Sequence, residues 1–138
     1  MAIPRRYARE LALQALFSVE VGHHDPGDAL VETFAGGASP EARAFVKDLV
    51  FGTVEHAEQA DAALTPLLHG WTIERLPTID RLLLRMGVYE MRFRPEVPRP
   101  VVINEAVELA KKFSTEDSGR FVNGVLANYS RALSGGAA

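Results

Sequence analysis

Thr78-Ile79-Asp80-Arg81-Leu82-Leu83-Leu84-Arg85-Met86-Gly87-Val88-Tyr89-Glu90-Met91-Arg92-Phe93-Arg94 decides the fold class of this chain. Its apolar residues recur at helical spacing and leave no wide polar face. A helix that is apolar nearly all round belongs at the centre of a bundle. Elsewhere period-2 alternation is almost absent and helical spacing recurs, so the expectation is an all-α protein.

Working outward, Pro95, Pro98 and Pro100 form a stiff connector. Val101 to Phe113 is amphipathic, with Glu108 and Lys112 at a favourable i,i+4 spacing. Ser114 or Thr115 caps a last helix, and Glu116 and Asp117 suit its positive end. Phe121, Val122, Val125, Leu126, Tyr129 and Leu133 are its stripe, followed by a short flexible tail from about 134. Upstream, Ser39 caps a helix that begins at Pro40. Phe45, Val46, Leu49, Val50, Val54 and Ala57 carry its stripe, which persists to Leu64 before Pro66 bends or breaks it. Trp71 reads as a core plug. A short helix spans Asp28 to Ala35, ahead of Gly36-Gly37. The first helix runs from Pro4 to about Val21, with Tyr7, Leu11, Ala12, Ala15, Leu16 and Val19 on one stripe. The expected architecture is six or seven helices in one bundle-like domain over residues 1–138, with no internal repeat and no linker.

The 138 residues are 47% apolar, enough for one sizeable core. There is no cysteine, which excludes a disulfide framework, a thiol nucleophile and a cysteine-based zinc site. Met1-Ala2-Ile3-Pro4-Arg5-Arg6 lacks an apolar run suited to a signal peptide. No stretch approaches the roughly 20 apolar residues of a membrane span. A cytoplasmic protein is expected.

The net charge of −3 is unevenly spread. Residues 1–9 carry three arginines and no acid; residues 10–74 carry eleven acids against Arg43 and Lys47 alone; residues 75–138 carry ten bases against seven acids. The base-rich parts are the two ends of the chain, which folding could bring together. Any one of these charges, taken alone, reads as part of a solvated face.

Catalytic arrangements are scarce. His23 and His24 are neighbours in a polar turn, His56 and His69 lie far off, and no H-E-x-x-H pattern exists. Gly36-Gly37 lacks the Gly-Lys-Ser/Thr of a phosphate loop. No serine sits in G-x-S-x-G. No enzyme, cofactor or metal is expected.

Arg5, Arg6 and Arg9 differ from the other charges. They crowd a helix start, where each cation costs about 0.3–1 kcal/mol against the macrodipole. Stability alone favours acids there. Three arginines beside free backbone N–H groups suit phosphate, and arginine both forks onto phosphate and stacks on bases. A basic terminus with no role explains the spacing equally well. On the last helix Asp117, Phe121 and Gly124 share one face. An aromatic beside a carboxylate can stack on and hydrogen-bond an unpaired base, although a lone phenylalanine is more often core.

Several blocks carry a family resemblance. They are Arg5-Arg6-Tyr7-Ala8-Arg9-Glu10 with Ala12-Leu13-Gln14-Ala15-Leu16-Phe17; Trp71, Leu76 and Asp80-Arg81-Leu82-Leu83-Leu84-Arg85 with Tyr89-Glu90; Ile103-Asn104-Glu105-Ala106-Val107-Glu108-Leu109-Ala110-Lys111; and Glu116-Asp117-Ser118 with Phe121-Val122-Asn123-Gly124-Val125-Leu126. In these the chain resembles the NusB family of bacterial transcription antitermination factors. The resemblance implies two packed helical subdomains and no cofactor. It implies binding of boxA RNA in ribosomal RNA leader transcripts together with NusE, a small-subunit ribosomal protein, within an RNA polymerase antitermination complex. Arg5, Arg6 and Arg9 match the family's arginine-rich RNA-binding segment, although Tyr7 interrupts the basic run. Asp117, Ser118 and Phe121 match a second RNA contact, and Lys111 an added phosphate contact. Asp80, Arg81 and Arg85 lie on the helix resembling the NusE-facing one. A homodimer masking the RNA site is an open alternative.

Two other readings compete. A NusB-like domain also occurs in certain ribosomal RNA cytosine methyltransferases, which need a Rossmann-like domain and a cysteine nucleophile. A protein-only adaptor would use none of the arginines for RNA.

Overall fold

The computed structural model describes residues 5–135. It contains seven α-helices, three short 3₁₀ turns and no strand among those residues. The chain divides into two compact units, residues 1–55 and 56–138.

The first unit holds α1 (Arg5–Gly22), α2 (Pro26–Thr33) and α3 (Pro40–Glu55). α1 packs on both others, and its inner face uses small residues, Ala12 and Ala15, between Leu11 and Leu16. Val46, Leu49 and Val50 meet it from α3. The expected start of α1 at Pro4 lies outside the described residues. Tyr7 is exposed rather than part of the stripe. α2 starts two residues earlier than expected, because the Asp25 carboxylate accepts from the backbone N–H of Gly27 and Asp28 and caps Pro26 at the first turn. The helix then tightens into a 3₁₀ turn at Phe34–Gly36, and Gly37 takes φ 89°. Ser39 caps α3 as expected, its hydroxyl accepting from the Ala42 N–H at 3.2 Å.

The expected helix from Pro40 to Leu64 is two helices. His56 leaves helical geometry (φ −105°, ψ 19°), and α4 (Ala57–Leu64) begins after it. The cause is tertiary: the imidazole stacks on Phe93 at 4.2 Å and Tyr89 at 5.9 Å between centroids. Val54, given to the stripe, is exposed.

The second unit holds α4, α5 (Thr78–Phe93), α6 (Arg99–Phe113) and α7 (Glu116–Ser134). α5 packs on the other three, with Leu82, Leu83, Leu84, Met86, Val88 and Met91 all buried. Leu83 and Leu84 are fully buried, as are Val122 and Leu126 of α7. α5 and α7 approach closely at Gly87, where a Cβ would stand 2.8 Å from the Leu126 side chain. Thr115, one of the two capping candidates, caps α7 by accepting from the Ser118 N–H at 3.0 Å. Ser134 closes α7 rather than opening a tail, and residues 136–138 lie outside the described part.

Trp71 is not a core plug. It is 56% exposed, because Leu68, Ile73 and Leu76 take the core places flanking it. His69 and Gly70, both at positive φ, turn the chain just before it.

Candidate nucleic-acid interface

The sequence-assigned residues fall on both units, and each set has its own geometry. In the first unit Arg5 and Arg9 lie one turn apart on α1 and converge on one ring. The Arg5 guanidinium stands 4.4 Å from the Phe45 centroid, and that of Arg9 5.3 Å. Face-on cations are held by the ring quadrupole, so Phe45 gathers charge that would otherwise splay apart. Arg5 and Arg6 are exposed, whereas Arg9 is 4% exposed. Arg9 is therefore part of the floor, and Arg5 and Arg6 offer the accessible forks. Phe45 was assigned to the core stripe; its place four residues before Leu49 gives no hint of the arginines above it.

In the second unit, the start of α7 borders an open cleft of about 190 Å³ lined by Trp71, Leu76, Pro77, Asp80, Thr115, Asp117, Ser118 and Phe121. Asp117 and Phe121 do share a face, as their spacing implies, and both reach the cleft. Phe121 is half-buried. Asp117 is exposed and paired with Arg120. Gly124, next along that face, is exposed with nothing near its missing side chain. Trp71 supplies a second aromatic wall. Sequence reasoning missed it by expecting a lone tryptophan to be core.

Ser118 lines the cleft from within the fold. It is buried, with its hydroxyl 2.8 Å from Ser114 Oγ and accepting from Thr115 Oγ1 at 3.2 Å. It also hydrogen-bonds Asp80. Its polar capacity is used within the fold, so it shapes the cleft floor rather than reaching outward. Lys111 is exposed at the end of α6. Its aliphatic stem lies against Gly119, where a Cβ would stand 2.9 Å from Lys111 Cγ. Its ammonium is 4.0 Å from Glu108, a solvent-exposed pair of small worth.

The three residues expected to face NusE have internal partners. Asp80 is 3% exposed. Burial pushes its carboxyl above the usual range, and the Ser118 hydrogen bond partly opposes that. Little of this group is presented to the surface. Arg81 reaches the backbone carbonyls of Ile73 and Leu76, both at 3.4 Å. Arg85 forks onto Asp61 with two 2.8 Å bonds, tying α5 to α4. Arg85 and Arg81 remain partly accessible.

No group of three or more metal-ligating side chains occurs among the described residues. No described helix is long and apolar enough to cross a membrane.

A seven-helix fold with arginines gathered on a ring, and an aromatic cleft at a helix start, defines an all-helical binding protein. The NusB family model matches residues 6–131, and the chain belongs to the NusB family. It is 49% identical over 129 residues to the transcription antitermination protein NusB of Geobacillus kaustophilus, covering 94% of this chain and 97% of that protein. The structure of T. maritima NusB superposes with a TM-score of 0.89 at 33% identity, over 95% of this chain and 93% of that one. A crystal structure of the antitermination factors NusB and NusE in complex with dsRNA matches with a TM-score of 0.85 at 31% identity, over 93% and 96% of the two chains.

Proposed function

We propose that the protein is a bacterial, cytoplasmic transcription antitermination factor. It binds boxA RNA of ribosomal RNA leader transcripts together with NusE and helps RNA polymerase read through terminators. It catalyses no reaction of its own. Membership of the NusB family supports this, as does the matching structure that holds NusB, NusE and RNA. The observation that carries the RNA reading is the cleft at the start of α7, where Phe121 and Asp117 meet a second aromatic, Trp71. An unpaired base stacks on Phe121 and Trp71, and the Asp117 carboxylate accepts from its edge. Arg5, Arg6 and Lys111 contact phosphates and supply salt-dependent affinity. Arg9 packs against Phe45 beneath the exposed arginines, and Ser118 fixes the cleft floor. Arg81 and Arg85 present the α5 surface to NusE, and Asp80 acts on that surface from within.

The test is a fluorescence-anisotropy titration of boxA RNA at fixed salt, with and without NusE. Binding should be weak for the protein alone and tighter for the heterodimer. Phe121→Ala should cost about 1–3 kcal/mol of RNA affinity. Equal affinity with and without NusE would sink the partner reading, and an unaffected Phe121→Ala variant would sink the cleft.

A further inference from the structure

A second hollow lies apart from the cleft at the start of α7. It is a groove of about 660 Å³ in the first unit, between α2 with its following turn and α3. Its walls are Leu30, Val31, Phe34 and Phe51. Val31 is 74% exposed and Phe51 43%. Apolar side chains gathered in one open groove mark a recognition surface more often than scattered ones do. The far rim is basic. Pro40, Arg43, Ala44, Lys47 and Phe51 succeed one another along one side of α3, and Arg43 and Lys47 stand four residues apart. They are the only two bases in residues 10–74, a stretch with eleven acids, and both line this groove. Arg43 is steadied by donating from Nε to the Ala38 carbonyl at 3.1 Å and by lying 5.6 Å from the Phe34 centroid. Lys47 is exposed and makes no ion pair among the described residues.

We infer that this groove is a docking site for an amphipathic helix of a partner protein. That helix carries aliphatic or aromatic anchors at i, i+4 and i+7, with aspartate or glutamate beside them. The anchors fill the hollow over Leu30, Val31 and Phe51, and the acids meet Lys47 and Arg43. Helix-in-groove recognition reads this pattern of anchors, and the charged rim sets orientation and partner choice. RNA fits the groove less well. Two cations within an acid-rich stretch give little phosphate affinity. The site is separate from the arginines over Phe45 and does not depend on the RNA reading.

The test is a display selection of a helical-peptide library on the full chain, counter-selected against a Lys47→Glu variant. Enriched peptides should carry an apolar stripe flanked by acids. Their Kd should rise at least tenfold with Lys47→Glu or with Arg43→Glu, in variants whose melts match wild type. Exchanging the peptide acids for lysine should recover binding to Lys47→Glu. Amide shifts in nuclear magnetic resonance spectra should centre on Leu30, Phe34 and Phe51. No enrichment overturns the proposal, as do enriched peptides without acids or shifts elsewhere. Two further results overturn it in favour of another occupant. A uridine-rich RNA that moves the groove amides points to nucleic acid. Shifts that follow protein concentration alone point to a second copy of the chain.

Discussion

Arg5, Arg6 and Arg9 carry the same charge and occupy three different situations. Arg5 is exposed above Phe45, Arg6 is exposed, and Arg9 is buried beside the same ring. The sequence showed the cluster but not this division, because burial depends on where α3 places Phe45. On single-stranded RNA each neutralised phosphate contributes about 0.7 to the slope of log K against log salt. Replacing Arg5 and Arg6 with alanine should therefore lower the slope by about 1.4. Arg9→Ala should leave most of the slope and lower the melting temperature, since it removes a buried stem and a cation–π contact. Salt titrations of the variants check this, and an equal loss of slope from Arg9→Ala would show that it reaches phosphate. Asp80 makes a prediction of another kind. Its folded-state pKa lies above the 3.8 of the free side chain, chiefly through burial. Below 3.8 the carboxyl is protonated in both states and burial carries no charge penalty. As pH rises through the raised folded value the group must ionise while buried, and stability is lost. Asp80→Asn stays neutral throughout. The stability of the asparagine variant relative to wild type should rise from acid towards neutral pH. Thermal melts across that range test it, and a difference that falls with pH would contradict the assignment.

At the scale of elements, α5, α6 and α7 were legible because their signals are local. Apolar spacing, the prolines and the Thr115 cap all lie within a few residues of what they control, although α6 starts at Arg99 and takes Pro100, read as connector, into its first turn. The break at His56 was not legible. No glycine or proline marks it, and the stacking on Tyr89 and Phe93 that stabilises it involves another helix. The Arg85–Asp61 fork is equally non-local. The exposure of Trp71 follows from three other side chains filling the core first. The Asp25-Pro26 start of α2 was written in the sequence as a capping residue before a first-turn proline. The centrality of α5 can be measured. Leu83 is 1% exposed, so Leu83→Ala should cost about 2–5 kcal/mol through lost burial and the cavity left behind. Chemical denaturation gives the value directly. An unchanged midpoint would place Leu83 at the surface.

At the scale of the whole molecule, the division at residues 55 and 56 separates two very different reserves of core. Among large side chains exposed by less than 2%, the second unit holds Leu64, Leu68, Leu83, Leu84, Leu126 and Val122, while the first holds Leu49, Val46 and Val50. Domains of about 60 residues are marginal by themselves, because they bury too small a share of their surface. Of the first unit's helices of 18, 8 and 16 residues, α2 cannot rely on local propensity, since helices shorter than about 12–15 residues are marginal in water. The two units should therefore behave differently when made separately. Residues 56–138 should give a helical circular-dichroism spectrum and a cooperative melt, reduced from that of the full chain. Residues 1–55 should give neither. The second fragment retains Phe121, Asp117 and Trp71 but lacks Arg5 and Arg6. It should bind RNA more weakly than the full chain and with a shallower salt dependence, because the Arg5 and Arg6 phosphate contacts are gone while Lys111 and the stacking remain. A fragment 56–138 that unfolds without cooperativity would show that its core is insufficient alone. One that binds RNA with the full salt slope would move the phosphate contacts from α1 to the second unit.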